Sequence, residues 1–150
     1  MAYTANSTKL YYKVGAATPV EVALLMEVPE LGGAPEKIDV TTLSSKSKAY
    51  IPGMKDFGDL VFKFLYETGA DGNYMQMQEL ETGCDVNDDA TIPTFQIIYP
   101  DNTAHEFKAV PALKMDAGAI NGALTFSATM TLLGDTGIQM TTPFANLPQA

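Results

Sequence analysis

Hydrophobic residues recur at every second position through most of the chain, and a period of two predicts β-strands. Val20, Val22, Leu24, Met26 and Val28 alternate with Glu21, Ala23, Leu25 and Glu27, which predicts one strand over 20–28 with a buried face. Ile38, Val40 and Thr42 alternate with Asp39 and Thr41, and Phe62, Phe64 and Tyr66 share a face of a strand starting at Leu60. Phe95, Ile97 and Tyr99 predict the outgoing strand of a hairpin, and Phe107 and Ala109 its return after the Pro100–Thr103 turn. The longest predicted strand is Ala123–Leu133. Leu124, Phe126, Ala128, Met130 and Leu132 form its buried face, and Thr125, Ser127, Thr129 and Thr131 its hydroxyl face. Leu10–Val14 adds a short strand.

Between these strands lie breaks. Pro29 to Pro35 is a loop, and Pro111 to Gly122 reads as a connector. A long polar excursion rich in Ser and Lys separates the strand at Ile38 from the one at Leu60, with a break at Tyr50-Ile51-Pro52-Gly53. Loops of that length in a compact domain usually carry function or bind a partner. The period changes only once. Tyr74, Met77 and Leu80 fall on one helical face, Asn73 and Gln76 are spaced as a capping box, and Gly83 can end the helix. Glu79 and Glu81 sit at its C-terminal end, where the dipole disfavours anions. The expectation is a mainly β single domain over 1–150. It is an antiparallel β-sandwich or partly closed barrel of six or seven strands, with one short flanking α-helix. Residues 1–9 read as a flexible arm and 138–150 as a tail extending away from the core.

Charge sharpens this picture. The chain has nine lysines, no arginine and eighteen acids, for a net charge of −9. Base reading favours arginine forks and phosphate grip favours positive charge, so specific nucleic-acid binding is not expected. Glu67, Asp71, Glu79, Glu81, Asp85, Asp88, Asp89, Asp101 and Glu106 lie in a segment without lysine, and those nine acids equal the whole net charge. The segment reads either as a solvated acidic face or as a surface kept negative for repulsion or for a cationic partner. No apolar run approaches the roughly 18 residues of a membrane span, which argues against membrane insertion. The N-terminal residues show no secretory pattern.

Chemistry is sparse. Asp85, Asn87 and Asp89 have calcium-loop spacing, but Ala90 and Gln96 stand where Gly and Glu are required. One His and one Cys make a poor zinc set. Cys84 continues the helix's apolar face as a structural thiol, and no motif joins it to His105. Asp56 and Asp59 read as turn residues. No catalytic residue, metal or cofactor is expected. Lys46, Lys48 and Lys55, in or beside the polar excursion, read as solvated. Alternatively they meet the acidic segment of another copy, a head-to-tail contact that makes rings or filaments.

The pattern IDVTT (38–42) followed by YIPGMKDFGDLVF (50–62) resembles the major tail tube protein of long-tailed, siphovirus-like bacteriophages. LTFSAT (124–129) with Gly134 just beyond resembles that family's C-terminal strand, and the resemblance spans about Thr18 to Gly137. It implies a structural virion protein, not an enzyme. Such subunits form hexameric rings stacked into a tube, and one sheet of each subunit lines a negative lumen. By matching, a loop reaching the adjacent ring falls on about Ser44 to Phe57, with Ser44, Ser45, Lys46, Ser47, Lys48 and Tyr50 as its contact residues. Asp101 and Glu106 are the candidate lumen acids. The implied partners are further copies of the chain, a tape measure protein, and tail terminator and tail-tip proteins, with DNA as passing cargo. The implied place is the phage tail, after synthesis in the host cytoplasm. Two alternatives stand beside this reading: a related tube subunit of a contractile tail or secretion apparatus, and a monomeric β-sandwich module binding carbohydrate or cation.

Overall fold

Ten strands form among the described residues, most where alternation predicts them and two where it does not. The computed structural model describes every residue except 1, 3, 5, 33, 55–57, 68, 70, 71, 86, 119, 121, 134–136 and 145–150. One antiparallel sheet is ordered β2 (Val20–Val22), β1 (Lys9–Val14), β7 (Pro93–Ile98), β8 (Ala104–Met115). The second continues from β8 through β9 (Thr125–Leu132) and β6 (Leu60–Leu65) to β3 (Leu25–Glu27). Residues 104–108 of β8 pair with β7, and residues 109–115 pair with β9. The two sheets therefore share one strand and face each other as a sandwich. The strand order ends at β2 and β3 without closing into a barrel.

On β1, β6, β7, β8 and β9 the inward faces are those the alternation predicts. Leu10, Phe62, Phe64, Phe95, Ile97, Phe107, Phe126, Ala128 and Met130 are buried. Their rings lock the sheets together. Phe62 and Phe95 both stack on Phe107, at centroid distances of 6.1 and 5.7 Å. Phe64 stacks on Phe126 at 5.1 Å, and Tyr74 of the helix meets Phe126 edge-on at 5.2 Å. Such pairs add about 0.5–1.5 kcal/mol each beyond the area they bury.

Several expectations are corrected. The single strand over 20–28 is two strands. At Leu24 the backbone enters the left-handed region (φ 63°), and the chain passes from one sheet to the other. The phase flips there: Leu25 packs on the core, while Leu24 and Met26 are exposed. Period-two patterning cannot register such a crossing, because apolar residues occupy both phases. The break at Tyr50–Pro52 is instead strand β5, paired with β4 (Lys37–Asp39) in a separate two-stranded sheet. The connector at Pro111 is the second half of β8, making β8 the longest strand. Proline is tolerated there because residues 111 and 113 direct their backbone nitrogens to the same side, away from β9. The Leu113 N–H points to the helix and donates to Glu81 Oε2 at 3.3 Å. That bond also accounts for an acid in the last turn of the helix. Leu124, expected inside, is exposed just before β9.

Helix α1 spans Asn73–Gly83 and buries Asn73, Met77 and Leu80. The expected capping box is absent: Gly72 is the N-cap and no side chain caps it. Asn73 is 1% exposed and ties three backbone segments together. Its Nδ2 donates to the carbonyls of Ala23 (2.8 Å) and Leu65 (2.7 Å), and its Oδ1 accepts the N–H of Glu67 (3.1 Å). The tail, expected to extend away, returns over its described part. Strand β10 (Gln139–Thr141) pairs with residues 104–106 of β8. Phe144 then covers Tyr11, Ile98 and Ala104 on the outer face of the first sheet. The buried Gln96 fixes this strap, accepting the Phe144 N–H at 2.8 Å and donating to the Thr142 carbonyl at 3.3 Å.

Candidate functional site

The strands β4 and β5 form an arm with both faces in water. Every residue from Glu36 to Pro52 is exposed. The arm's described hydrogen bonds all close within it. Gly53 N–H donates to the Glu36 carbonyl at its base, Val40 N–H donates to the Ala49 carbonyl, and the Ala49 N–H donates to Thr41 Oγ1 at 2.9 Å. Hydroxyls hold the far end, where Thr42 and Ser45 Oγ atoms lie 2.9 Å apart. At the base a Cβ on Gly53 would lie 2.9 Å from the Glu36 carbonyl oxygen, so only glycine permits that closure. The arm nevertheless carries apolar side chains. Leu43 is 108% exposed, and Ile38, Val40, Tyr50 and Ile51 are each exposed by more than two-fifths. A two-stranded ribbon in water is marginal by itself. Exposed apolar side chains on such a ribbon mark a surface that packs on something else. Burying one Leu or Ile would contribute about 1.5–3 kcal/mol.

Of the residues expected to form an inter-ring contact, Ser44, Ser45, Lys46, Ser47 and Lys48 lie in the arm's loop and Tyr50 on β5, where Lys37 Nζ sits 5.8 Å from its ring centroid. Lys55 and Asp56 lie outside the described residues.

A second open surface is the outer face of the sheet β8-β9-β6-β3. Phe144 and the strap cover the other sheet, but here Val61, Ala112, Lys114 and Thr131 are exposed. Thr125, Ser127 and Thr129 are half-buried on this face, as the hydroxyl pattern predicts. One row across four strands reads Glu27, Lys63, Ser127, Lys114. Asp116 accepts the hydroxyls of Thr125 (2.9 Å) and Ser127 (3.1 Å). The two acids and two lysines balance, so this face is polar and close to neutral.

The candidate lumen acids lie elsewhere. Asp101 is in the β7–β8 turn, where the Thr103 hydroxyl (2.7 Å) and amide hold its carboxyl below the ordinary value. Glu106 is on the outer side of β8 next to the strap, 3.4 Å from Gln96 Nε2. The acidic loop is occupied with its own folding. Asp85 accepts the Asn87 N–H, Asp88 accepts the Ala90 N–H, and Asp89 pairs with Lys108 at 3.0 Å. No group of three potential metal ligands occurs among the described residues. Cys84 is half-buried with its Sγ 3.8 Å from the Thr91 carbonyl, and burial raises its pKa. His105 lies opposite Ile97, near the other end of β7, edge-on to Tyr99. Cys84 meets Thr91, before β7 begins at Pro93, whereas His105 sits opposite Ile97, about 13 Å further along that strand, so they form no catalytic pair.

No family model matches the sequence, and no curated protein does. The fold itself is matched. A chain from the tail of an empty gene transfer agent particle, which has C6 symmetry, superimposes with a TM-score of 0.69 at 19% identity. The match covers 94% of this chain and 100% of that one.

The chain has the tail-tube fold.

A chain of the native gene transfer agent virion (TM-score 0.67, 17% identity) covers the same 94% and 100%. A chain from the sheath/tube terminator assembly of an extracellular contractile injection system (TM-score 0.61, 11% identity) covers 94% and 99%. These neighbours come from a tail, a virion and a sheath/tube terminator assembly. They come from a gene transfer agent and a contractile system, so the tail-tube fold extends beyond long-tailed phage.

Sequence reasoning found the arm and the hydroxyl face. It missed Asn73 as a junction, Glu81 as a partner of β8, and the strap held by Gln96. Each of these depends on contacts between residues at least 32 positions apart.

Proposed function

We propose that this protein is the subunit of a phage-type tail tube, assembling as hexameric rings that stack into a conduit for DNA. The observation that carries the reading is the arm, an exposed hairpin that carries unburied apolar side chains on a body with the tail-tube fold. Residues 44–48 and Tyr50 are its contacts with the next ring. The C6 symmetry of a structurally similar tail supports six subunits per ring. The uncovered sheet, with its hydroxyl side chains and its two lysines balanced by two acids, suits the lumen wall: it offers DNA no net positive surface to grip. Asp101 and Glu106, off that face, contribute negative potential from its surroundings. A tape measure protein, terminator and tip proteins complete the tail, and the tail of the virion is the place of action.

Microscopy and sedimentation of the purified chain test the proposal. Rings or tubes that grow with concentration are expected. A particle that stays at the monomer mass of 16.1 kDa at every concentration overturns it and favours a monomeric β-sandwich binding module.

A further inference from the structure

Two surfaces at different ends of the molecule complement each other. The arm leaves the body beyond β3. Val28, on the way to it, lines a pocket with Thr8 and Tyr99 at the end of β7 that leads into the Pro100–Thr103 turn. Helix α1 ends near the opposite end of β7, beside Val14 and Pro93. There Val14, Leu80, Gly83, Ala90 and Thr91 line, with Glu79, a mostly apolar pocket of about 230 Å³. Its surroundings are negative. Glu79 and Glu81 stand near the end of the helix, Asp85, Asp88 and Asp89 follow, and no basic residue occupies the last turn. The helix dipole places its own negative end there. Lys108 pairs with Asp89, and no other lysine is paired with these acids among the described residues.

We propose that this pocket is the acceptor for the arm of a second copy, with Leu43 entering the pocket and Lys46 and Lys48 lying over the acidic rim. The inference rests on the tube reading and names the surface that reading needs. Three observations favour this occupant. Leu43 is fully exposed at the far part of the arm, and the pocket wall of Val14, Leu80 and Ala90 is apolar. The loop 40–49 has two lysines and no acid, opposite in sign to the rim. An extended arm reaches up to about 25 Å from its base, which is enough to leave its own body and meet another. Because arm and pocket are different patches, each copy that docks still offers a free arm or a free pocket. Such a heterologous contact propagates along an axis.

Cysteine cross-linking in a Cys84→Ser background tests the acceptor. Leu43→Cys with Ala90→Cys is expected to give a ladder of covalent oligomers on mild oxidation. Leu43→Cys with Thr103→Cys, at the other end of β7, is expected to give none. Cross-linking only through position 103 overturns the acceptor assignment while leaving the arm's role intact. A charge exchange gives an independent reading. Lys46→Glu with Lys48→Glu is expected to abolish tubes, and adding Glu79→Lys to restore them. Glu79 is exposed, and its side chain makes no described hydrogen bond whose loss would unfold the helix. Tubes lost on charge reversal but not recovered with Glu79→Lys count against the acceptor. Tubes that persist when residues 44–48 are deleted overturn both the acceptor and the tube reading's use of the arm.

Discussion

The side-chain amide of Asn73 donates to the carbonyl of Ala23 at 2.8 Å, joining the first turn of the helix to the point where the chain crosses between sheets. The same amide bonds the carbonyl of Leu65, and its oxygen accepts the N–H of Glu67. A buried amide that satisfies three backbone groups fixes the helix against both sheets.

Replacing Asn73 with Ala leaves two carbonyls and one N–H without that partner in a buried setting. The expected loss is about 3–5 kcal/mol, since each unpaired buried group costs about 1–3 kcal/mol. Asn73→Asp is expected to be nearly as harmful, because a carboxylate cannot donate to the two carbonyls. Denaturant unfolding measures both, and a loss under about 1 kcal/mol for Ala would show the junction to be dispensable.

Phe126 and Thr129 report on the two faces of β9. Phe126 is fully buried between Phe64 and Tyr74, so Phe126→Ala should cost about 3–5 kcal/mol. Thr129 points outward and Thr129→Ser should change stability by about 0.5 kcal/mol or less. Equal, small losses at both positions in thermal or chemical unfolding would contradict the face assignment.

Deleting Ser44 to Lys48 removes residues that are all exposed and outside the core. The shortened chain is expected to keep its cooperative unfolding transition and to lose higher assembly. Calorimetry and sedimentation velocity on the same sample separate the two. Loss of the transition would mean that the loop supports the fold.

Charge on the uncovered sheet should be felt by DNA. Particles built with Thr129→Lys are expected to eject DNA more slowly at low salt, with the difference shrinking as salt rises, because each added phosphate contact carries counterion release. Asp101→Lys combined with Glu106→Lys is expected to slow ejection less, since both acids lie off that face. Ejection rates followed against ionic strength decide the matter, and a larger effect from the acid pair would move the lumen wall to their side of the molecule.

Which residues of β6, β7, β8 and β9 face inward is legible in the amino-acid pattern alone. Phe62, Phe64, Phe95, Ile97, Phe107, Phe126 and Met130 follow from alternation, because burial of one sheet face imposes a period of two on any strand that has it. The arm was legible as a polar excursion too long for an ordinary turn, and the hydroxyl face of β9 as a row of Thr and Ser. What alternation does not encode is pairing. Tyr50–Pro52 became a strand because residues 37–39 lie opposite it, not because of its own pattern. The chain crosses sheets at Leu24, and Pro111 is accommodated on the side of β8 away from β9. Both depend on which neighbour a backbone N–H meets in space. Glu81 ran against helix-dipole preference until its partner on β8 was placed, and the tail returned because Gln96 and Ala104 offer it a surface. The one-dimensional pattern carries the hydrophobic effect, which needs only burial. Hydrogen-bond partners and open surfaces are properties of the folded whole, set by which segments meet in space and encoded in no local pattern.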